Sequence, residues 1–244
     1  MCLEKTHWGQ NISEIASKLN LIDVEKASEV SDSRFAYLFG DLVKIEFNLV
    51  SWALNKLSDK GFIPTVPPVL VRENALYGTG FFPDDAEQVY EIPNDDLFLV
   101  GTSEVPLAAL HTNEILNIKN LPLRYAGFST CFRREAGTYG KDTTGIFRVH
   151  QFDKVEIVQL QHPEKSYETL EEMSNYVQGL LHDLGLHYRV LLLCGGDTGF
   201  ASAMTYDMEV WSAAQERWLE VSSVSNFETF QANRLKLRFK SSSY

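Results

Sequence analysis

The segment FRREAGTYGKDTTGIFRVHQFDKVE, residues 132–156, carries charged side chains at alternating positions on either side of a glycine-containing loop. Successive side chains of a β-strand point to opposite faces, so Arg133 and Glu135 share one face of the first half. One face of the second half carries a mixed row: Arg148, His150, Phe152, Lys154 and Glu156. A guanidinium binds an anion bidentately, an aromatic ring stacks on a planar base, and a carboxylate binds an ammonium group. The pattern therefore fits an extended ligand that carries a phosphate, a base and an amine.

Two further groups of polar side chains suit the same kind of ligand. Thr102 and Glu104 follow an apolar strand, in TSEVPLAAL. The segment LEVSSVSNF places four polar side chains at a strand end: Glu220, Ser222, Ser223 and Asn226. A carboxylate with neighbouring hydroxyls suits Mg²⁺, which usually keeps water and substrate phosphates as its other ligands. Helix capping and turn formation are commoner uses of such groups, and a solvent-facing hairpin with cross-strand ion pairs also explains the alternating charges. Taken alone, these residues favour the structural explanations.

Composition and charge exclude several classes of protein. The chain of 244 residues is long enough for one large or two small domains, and it has no run of ~18 apolar residues and no signal or transit peptide pattern in 1–10. A net charge of −11 argues against a protein that grips nucleic acid mainly through this surface, because phosphate neutralisation needs a basic excess. Cys2, Cys131 and Cys194 lie far apart, which predicts neither a disulfide framework nor a zinc site. We expect a protein without a membrane span in the reducing cytoplasm, with an organelle as the alternative.

The apolar periodicity predicts an α+β domain with a mostly antiparallel sheet. Helical spacing predicts one helix within 33–57, ended by Gly61, and another from Pro163 to Gly185. FIPTVPPVLVRE has the prolines of an edge strand, and LFLVG leads into a helix near Val105. Further strands are predicted at 122–136, 146–160, 187–194, 205–212 and 217–223, the first two as an antiparallel pair. There is no Walker loop and no GxGxxG, so a nucleotide would bind without the devices of parallel sheets.

The segment 132–156 closely resembles motif 2 of the seryl-tRNA synthetases, which are class II aminoacyl-tRNA synthetases. Other segments resemble the same family in the same order. THWGQNISEIASKLNLID and DSRFAYLFGD resemble its lead-in, GFIPTVPPVLV its motif 1, YGTGFFP the loop after it, and TSEVPLAAL its Thr-x-Glu serine-binding turn. LLLCGGDTGFASAMTYDMEVW and LEVSSVSNFETFQANR complete the series. The chain is thereby identified as a single class II catalytic domain, 1–244, with 1–30 as the lead-in segment.

The resemblance implies a fold, a reaction and partners. The expected fold is a six- or seven-stranded antiparallel sheet flanked by helices, in a homodimer formed through motif 1. The expected enzyme is a serine–tRNA ligase that activates L-serine with ATP to seryl-adenylate and transfers the seryl group to tRNA(Ser). ATP and Mg²⁺ are the implied cofactors, and no zinc is expected.

The resemblance also implies roles for individual residues. L-Serine would contact Thr102, Ser103, Glu104, Arg133 and Glu156. ATP would contact Arg133, Arg134, Glu135, Arg148, Val149, Phe152, Glu220, Val221, Ser222 and Ser223. Arg133 would be the catalytic residue that bridges the serine carboxylate and the α-phosphate, and Phe152 would stack on the adenine. Glu220 and Ser223 would hold Mg²⁺ through ATP.

The chain also departs from the family pattern. The family's N-terminal coiled-coil arm, which grips tRNA, and its C-terminal motif 3, which completes the serine pocket, are not matched by any segment of these 244 residues. We therefore expect a C-terminally truncated domain that binds ATP weakly by itself and forms little seryl-adenylate. Single positions also differ from the usual residues: Gly195, Met204, Val224 and Asn233.

Three functions remain as hypotheses. The first is the catalytic core of a tRNA-charging enzyme. The second is a truncated isoform or paralogue that has lost charging and acts by binding or regulation. The third is a relative that loads amino acids onto a carrier protein. It is disfavoured because that group resembles the zinc-using branch, and this sequence has no cysteine cluster that would bind zinc.

Overall fold

A computed structural model describes residues 12–136 and 146–240. Within these ranges the α-helices are α1 (Ile12–Lys18), α2 (Val24–Val30), α3 (Asp41–Ser58), α4 (Glu73–Thr79), α5 (Glu104–Ala109), α6 (Ser166–Asp183) and α7 (Phe230–Arg234). The strands are β1 (Ile22–Asp23), β2 (Tyr37–Leu38), β3 (Ile63–Thr65), β4 (Leu70–Val71), β5 (Tyr90–Ile92), β6 (Leu97–Leu99), β7 (Ile115–Asn117), β8 (Leu123–Phe132), β9 (Gln151–Leu160), β10 (Tyr188–Leu192), β11 (Met204–Ser212), β12 (Arg217–Asn226) and β13 (Arg238–Lys240). The glycine loop of the hairpin lies outside the described residues.

The two long helices form within the predicted segments, but α3 begins only at Asp41, because Tyr37 and Leu38 pair with β1 as strand β2. α3 buries Ala53 and Leu57, and the chain then turns through Gly61, at φ +83°, to place Phe62 against Leu57. Only a residue without a side chain adopts that backbone angle at low cost, so Gly61 ends the helix as predicted. α6 begins at Ser166, three residues later than predicted, because 163–165 form one turn of 3₁₀ helix.

The strands form small sheets whose order places the hairpin beside the proline-rich segment. In one sheet the order is β3-β8-β9, and β3 is the edge strand, parallel to β8. The other sheets are β10-β11-β12, β4-β6-β5, β1-β2 and β7-β13. The predicted edge position of FIPTVPP is confirmed, since prolines lack the N–H that a central strand must donate.

The hairpin strands are shorter than predicted, although β8 and β9 form the expected antiparallel pair. Glu135 has a φ of +50°, which an extended strand does not allow. The His150 N–H donates to the carbonyl of Arg34, in the segment before α3, and not across the hairpin. The prediction that Arg148 and His150 continue the strand face of Phe152 is therefore wrong, and that row begins inside β9.

The expected single sheet of six or seven strands is divided in the described part of the chain. β9 and β12 are each hydrogen-bonded to a strand on one side only. A cavity of about 1260 Å³ is lined by residues of both strands and by α3, α5, α6 and α7. The backbones of β9 and β12 are not paired with each other in the described part of the chain.

Three buried clusters hold the elements around this cavity. The first lies between α4, α5 and the β4-β6-β5 sheet and includes Leu76, Val100 and Val105. In the second, Leu170 and Leu181 of α6 pack on β11 and β12, and in the third α3 packs on β8. No helix of the described ranges is both long and apolar enough to cross a membrane.

Candidate functional site

Two carboxylates and a threonine meet where α5 begins beside β9. Glu156 Oε2 accepts a hydrogen bond of 2.7 Å from Thr102 Oγ1, which itself accepts one of 3.2 Å from the Glu104 N–H. α5 approaches the sheet closely because Gly127, opposite Glu156 in the ladder, has no side chain. A Cβ there would lie 2.6 Å from Leu107 Cδ1. The glycine therefore brings the three polar groups together.

The ionisable groups around the start of α5 affect the charge of Glu104. The pKa of Glu104 is raised from its ordinary value of 4.5 to about 7, first by burial and then by the charge of the nearby Glu156. A hydrogen bond from Gln231 and the charges of Lys154 and Arg133 oppose that rise in the pKa. Lys154 Nζ also contacts Glu156 Oε2 at 2.5 Å. Two carboxylates close to one another favour a cationic ligand group such as an ammonium.

Arg133 follows β8 directly and is anchored at several points. Its Nε donates to the carbonyl of Gly101 at 3.2 Å, and its guanidinium carbon lies 5.1 Å from the ring centre of Phe152. Its backbone N–H donates to the carbonyl of His150, and His150 Nδ1 bonds to the Arg133 carbonyl at 2.9 Å. A carbonyl only accepts, so this Nδ1 carries the proton. The backbone of Arg133 is thus fixed, and its side chain lines the cavity.

The segment after Arg133 is held by an ion pair and by a glutamine. Arg148 Nη1 lies 3.1 Å from Glu135 Oε2, with Glu135 largely buried. The Gln88 side chain donates to the carbonyl of Ala136 and accepts from its N–H, at 2.9 and 3.1 Å. The backbone carbonyl of Gln88 also accepts a hydrogen bond from the backbone N–H of Arg134. These bonds define the path of the hairpin where it leaves the strand.

β12 carries the predicted phosphate-binding segment Glu220, Val221, Ser222 and Ser223. Partial desolvation raises the pKa of Glu220, Asp207 adds to the rise, and the charges of Arg133 and Arg148 oppose it. Asp207 of β11 lies opposite Ser223 of β12. The Oδ1 atom of Asp207 is buried without a hydrogen-bond partner in the described part of the chain. This strand pair offers oxygen atoms, which hard cations prefer.

Most predicted site residues line one cavity: Thr102, Glu104, Arg133, Glu135, Arg148, Val149, Phe152, Glu156, Glu220, Val221, Ser222 and Ser223. Two do not. Ser103 is fully buried, and its hydroxyl is hydrogen-bonded to that of Ser129 at 2.7 Å. The exposed Arg134 is held through its backbone. The structure also shows two glutamines that hydrogen-bond to residues of the site, Gln88 and Gln231. Neither was singled out by its residue type, although Gln231 lies within a segment that matches the family pattern.

The arrangement agrees with comparisons to known proteins. The family model of the tRNA synthetase class II core domain (G, H, P, S and T) matches residues 89–244. A serine–tRNA ligase of Methylacidiphilum infernorum is 46% identical over 240 residues, which are 98% of this chain and 56% of that protein.

Solved structures are similar over the same extent. The chain resembles a seryl-tRNA synthetase of Pyrococcus horikoshii complexed with ATP, with a TM-score of 0.91 and 44% identity, over 93% of this chain and 51% of that one. It also resembles a cytoplasmic serine–tRNA ligase of Naegleria fowleri in complex with AMP, with a TM-score of 0.90 and 33% identity, over 94% of this chain and 55% of that one. The chain therefore spans about half the length of the relatives that it matches.

Proposed function

Because the chain belongs to the class II tRNA synthetase core family (G, H, P, S and T), we propose that it forms the serine-activating part of a serine–tRNA ligase. In the reaction the carboxylate of L-serine attacks the α-phosphate of ATP, which forms seryl-adenylate and releases pyrophosphate, and the seryl group then passes to tRNA(Ser) with release of AMP. The proposal is supported by relatives with that name and by structural neighbours in complex with ATP or AMP.

One observation carries the proposal: a carboxylate pair and an anchored arginine line the same cavity. We propose that Glu104 and Glu156 bind the serine ammonium and that Thr102 orients Glu156 by its hydrogen bond. Arg133 would bind both the serine carboxylate and the ATP α-phosphate, since a guanidinium presents a fork of donors. Holding two anions together and neutralising them lowers the barrier to in-line displacement at phosphorus.

The nucleotide would lie along the hairpin. Phe152 offers a ring for stacking on adenine and already contacts the Arg133 guanidinium, while Val149 lines the same part of the cavity. Glu135 would lie on the adenine side of the nucleotide. Arg148, which forms an ion pair with Glu135, would reach the γ-phosphate. The base, the phosphates and the amino acid would thus occupy one continuous space.

Mg²⁺ fits the β12 end of this space as an ion that arrives with ATP. Among the described residues, no three His, Cys, Asp or Glu side chains are grouped closely enough to hold a metal alone. Glu220 and Ser223 supply oxygen ligands, and phosphates and water would complete the shell. The ion's charge would also favour the ionised form of Glu220.

The remaining partners are proposed from the surface. α3 exposes Ile45, Phe47 and Leu49, and the neighbouring Tyr37 and Phe39 are also exposed. Such an apolar surface is consistent with a homodimer contact through motif 1 and α3. Because the net charge is −11, we propose that most of the grip on tRNA(Ser) comes from segments that the longer relatives have and this chain does not match.

The test is ATP–pyrophosphate exchange by the natural full-length protein that contains this chain, with serine, threonine and alanine supplied in parallel. We expect exchange with serine, and at most about 1% of that rate with alanine, because alanine would leave unpaired the groups that bind the serine hydroxyl; threonine, which has one more methyl group, should exchange at least about tenfold more slowly than serine. The 244-residue chain by itself is expected to exchange slowly, since no segment of it matches the family's motif 3, which completes the serine pocket. A full-length protein that binds tRNA without serine-dependent exchange would instead support the binding or regulatory paralogue.

A further inference from the structure

Gln231 links a distant helix to the serine end of the site. Its Nε2 donates to Glu104 Oε1 at 2.7 Å and to the carbonyl of Thr79, at the end of α4, at 3.1 Å. A carbonyl only accepts, so the atom facing Thr79 is the amide nitrogen and the orientation of the amide is determined. The same nitrogen therefore presents a donor, and not an acceptor, to the Glu104 carboxylate.

The helix that carries Gln231 is held against α4 by close contacts at two glycines. A Cβ on Gly78 would lie 2.3 Å from Leu235 Cδ2, and one on Gly80 would lie 2.7 Å from Ala201 Cβ and 2.9 Å from Phe230 Cε1. Gly80 also has a φ of +90°, and its N–H closes α4. α7 therefore approaches α4 more closely than larger residues would allow. This contact places the Gln231 amide between Thr79 and Glu104.

The Gln231 donor acts with Lys154 and Arg133, and against burial and Glu156, on the charge of Glu104. Burial and the neighbouring Glu156 favour its neutral form, whereas Lys154 and Arg133 favour the charged form from the β9 side and the end of β8. Gln231 adds a hydrogen bond that favours the charged form from the opposite element, α7. A carboxylate must be charged to bind an ammonium strongly.

We propose that Gln231 is a positioning residue for amino-acid binding, which holds Glu104 by one oxygen and leaves the other, Oε2, for the substrate's ammonium group. This inference rests on the proposed function. It gives the segment FETFQANR a role in recognising the amino acid, although α7 belongs to neither the hairpin nor the Thr-x-Glu turn. ATP binding does not depend on it, because Gln231 contacts neither Arg133 nor the hairpin through any described hydrogen bond.

Replacing Gln231 by methionine keeps the length of the side chain and removes both donors. In the full-length protein we expect the KM for serine at pH 7 to rise about tenfold, the size typical of a lost hydrogen bond to a charged group. The KM for ATP should stay within about twofold. The acid limb of kcat/KM for serine, measured by pyrophosphate exchange, should move up by about one pH unit, because the loss of the donor favours the protonated form of Glu104.

Two further variants keep the test interpretable. Gln231→Glu has nearly the same shape, and its carboxylate cannot donate when ionised, so serine binding should again weaken. Gln178→Met makes the same substitution in α6, at a residue that does not line the cavity and whose amide donates to Ser174, and it should leave serine kinetics unchanged. Thermal unfolding of each variant shows whether it is folded.

The inference is overturned if Gln231→Met lowers kcat/KM equally at every pH, or if folded Gln231→Met keeps the wild-type KM for serine. Either result would reduce Gln231 to a tether between α7 and α4. Failure of the proposed function has a different signature, since the unsubstituted protein would then show no serine-dependent exchange at any pH.

Discussion

Replacing Arg133 by alanine is expected to lower serine-dependent pyrophosphate exchange by at least about a thousandfold, because it would remove the cation that we propose stabilises charge on the reacting phosphate. The side chain is anchored to the carbonyl of Gly101 and lies over Phe152, so its position is set before a ligand arrives. Arg133→Lys keeps the charge but not the fork of donors, and should recover only a small part of the lost rate.

Arg72 provides the matched control for this experiment. It is an exposed arginine at the start of α4, outside the cavity, and Arg72→Ala should leave the exchange rate within about twofold. A folded Arg133→Ala protein that exchanges at the wild-type rate would show that the reacting phosphate lies elsewhere.

Replacing Glu104 by glutamine is expected to raise the KM for serine by about a hundredfold or more, because the ammonium loses a charged partner in a desolvated site. The KM for ATP should change little. In the proposed site, ionised Glu104 would bind the ammonium, and burial raises the pKa of Glu104 to about 7. The kcat/KM of the unsubstituted protein for serine should therefore rise as the pH increases through about 7, and this dependence should be absent in Glu104→Gln.

Glu172→Gln is a suitable control, since Glu172 is an exposed residue of α6 that pairs with Arg124. It should keep both the KM for serine and the pH profile. If Glu104→Gln retained the wild-type pH dependence, the titrating group would have to be another one, such as Glu156.

The sequence was sufficient to predict the parts of the site that follow from local pattern. Local sequence patterns predict three kinds of element: the β8–β9 pair, the long helices α3 and α6, and the proline-rich edge strand β3. Each of these segments shows either a regular spacing of apolar residues or a glycine or proline that ends the element. Within β9, Phe152 and Glu156 share a face because strand geometry requires it. The family resemblance then supplied the remaining contact residues.

What failed to follow from sequence depended on long-range contacts. Alternation extended the strand through His150, but its N–H bonds to Arg34, over a hundred residues away. Likewise, Ser103 belongs to a binding motif by pattern, yet its hydroxyl is buried against Ser129 of β8. Gln231 joins Glu104 across 127 positions, through a helix contact that depends on glycines. No local spacing encodes such a pair.

The division of the expected sheet has a similar origin. A strand pattern predicts that β9 and β12 are strands, but not which edges meet. Their facing sides line the cavity, and apolar residues of α6 such as Leu170 and Leu181 line the same space.

The most direct test of the site is a crystal structure of the full-length protein with a non-hydrolysable seryl-adenylate analogue. We expect the Arg133 guanidinium within ~3 Å of the group that replaces the phosphate, and the analogue's amine in hydrogen-bond reach of Glu104 or Glu156. The adenine should stack on Phe152. An analogue bound outside this cavity, or one whose amine points away from both carboxylates, would contradict the assignment.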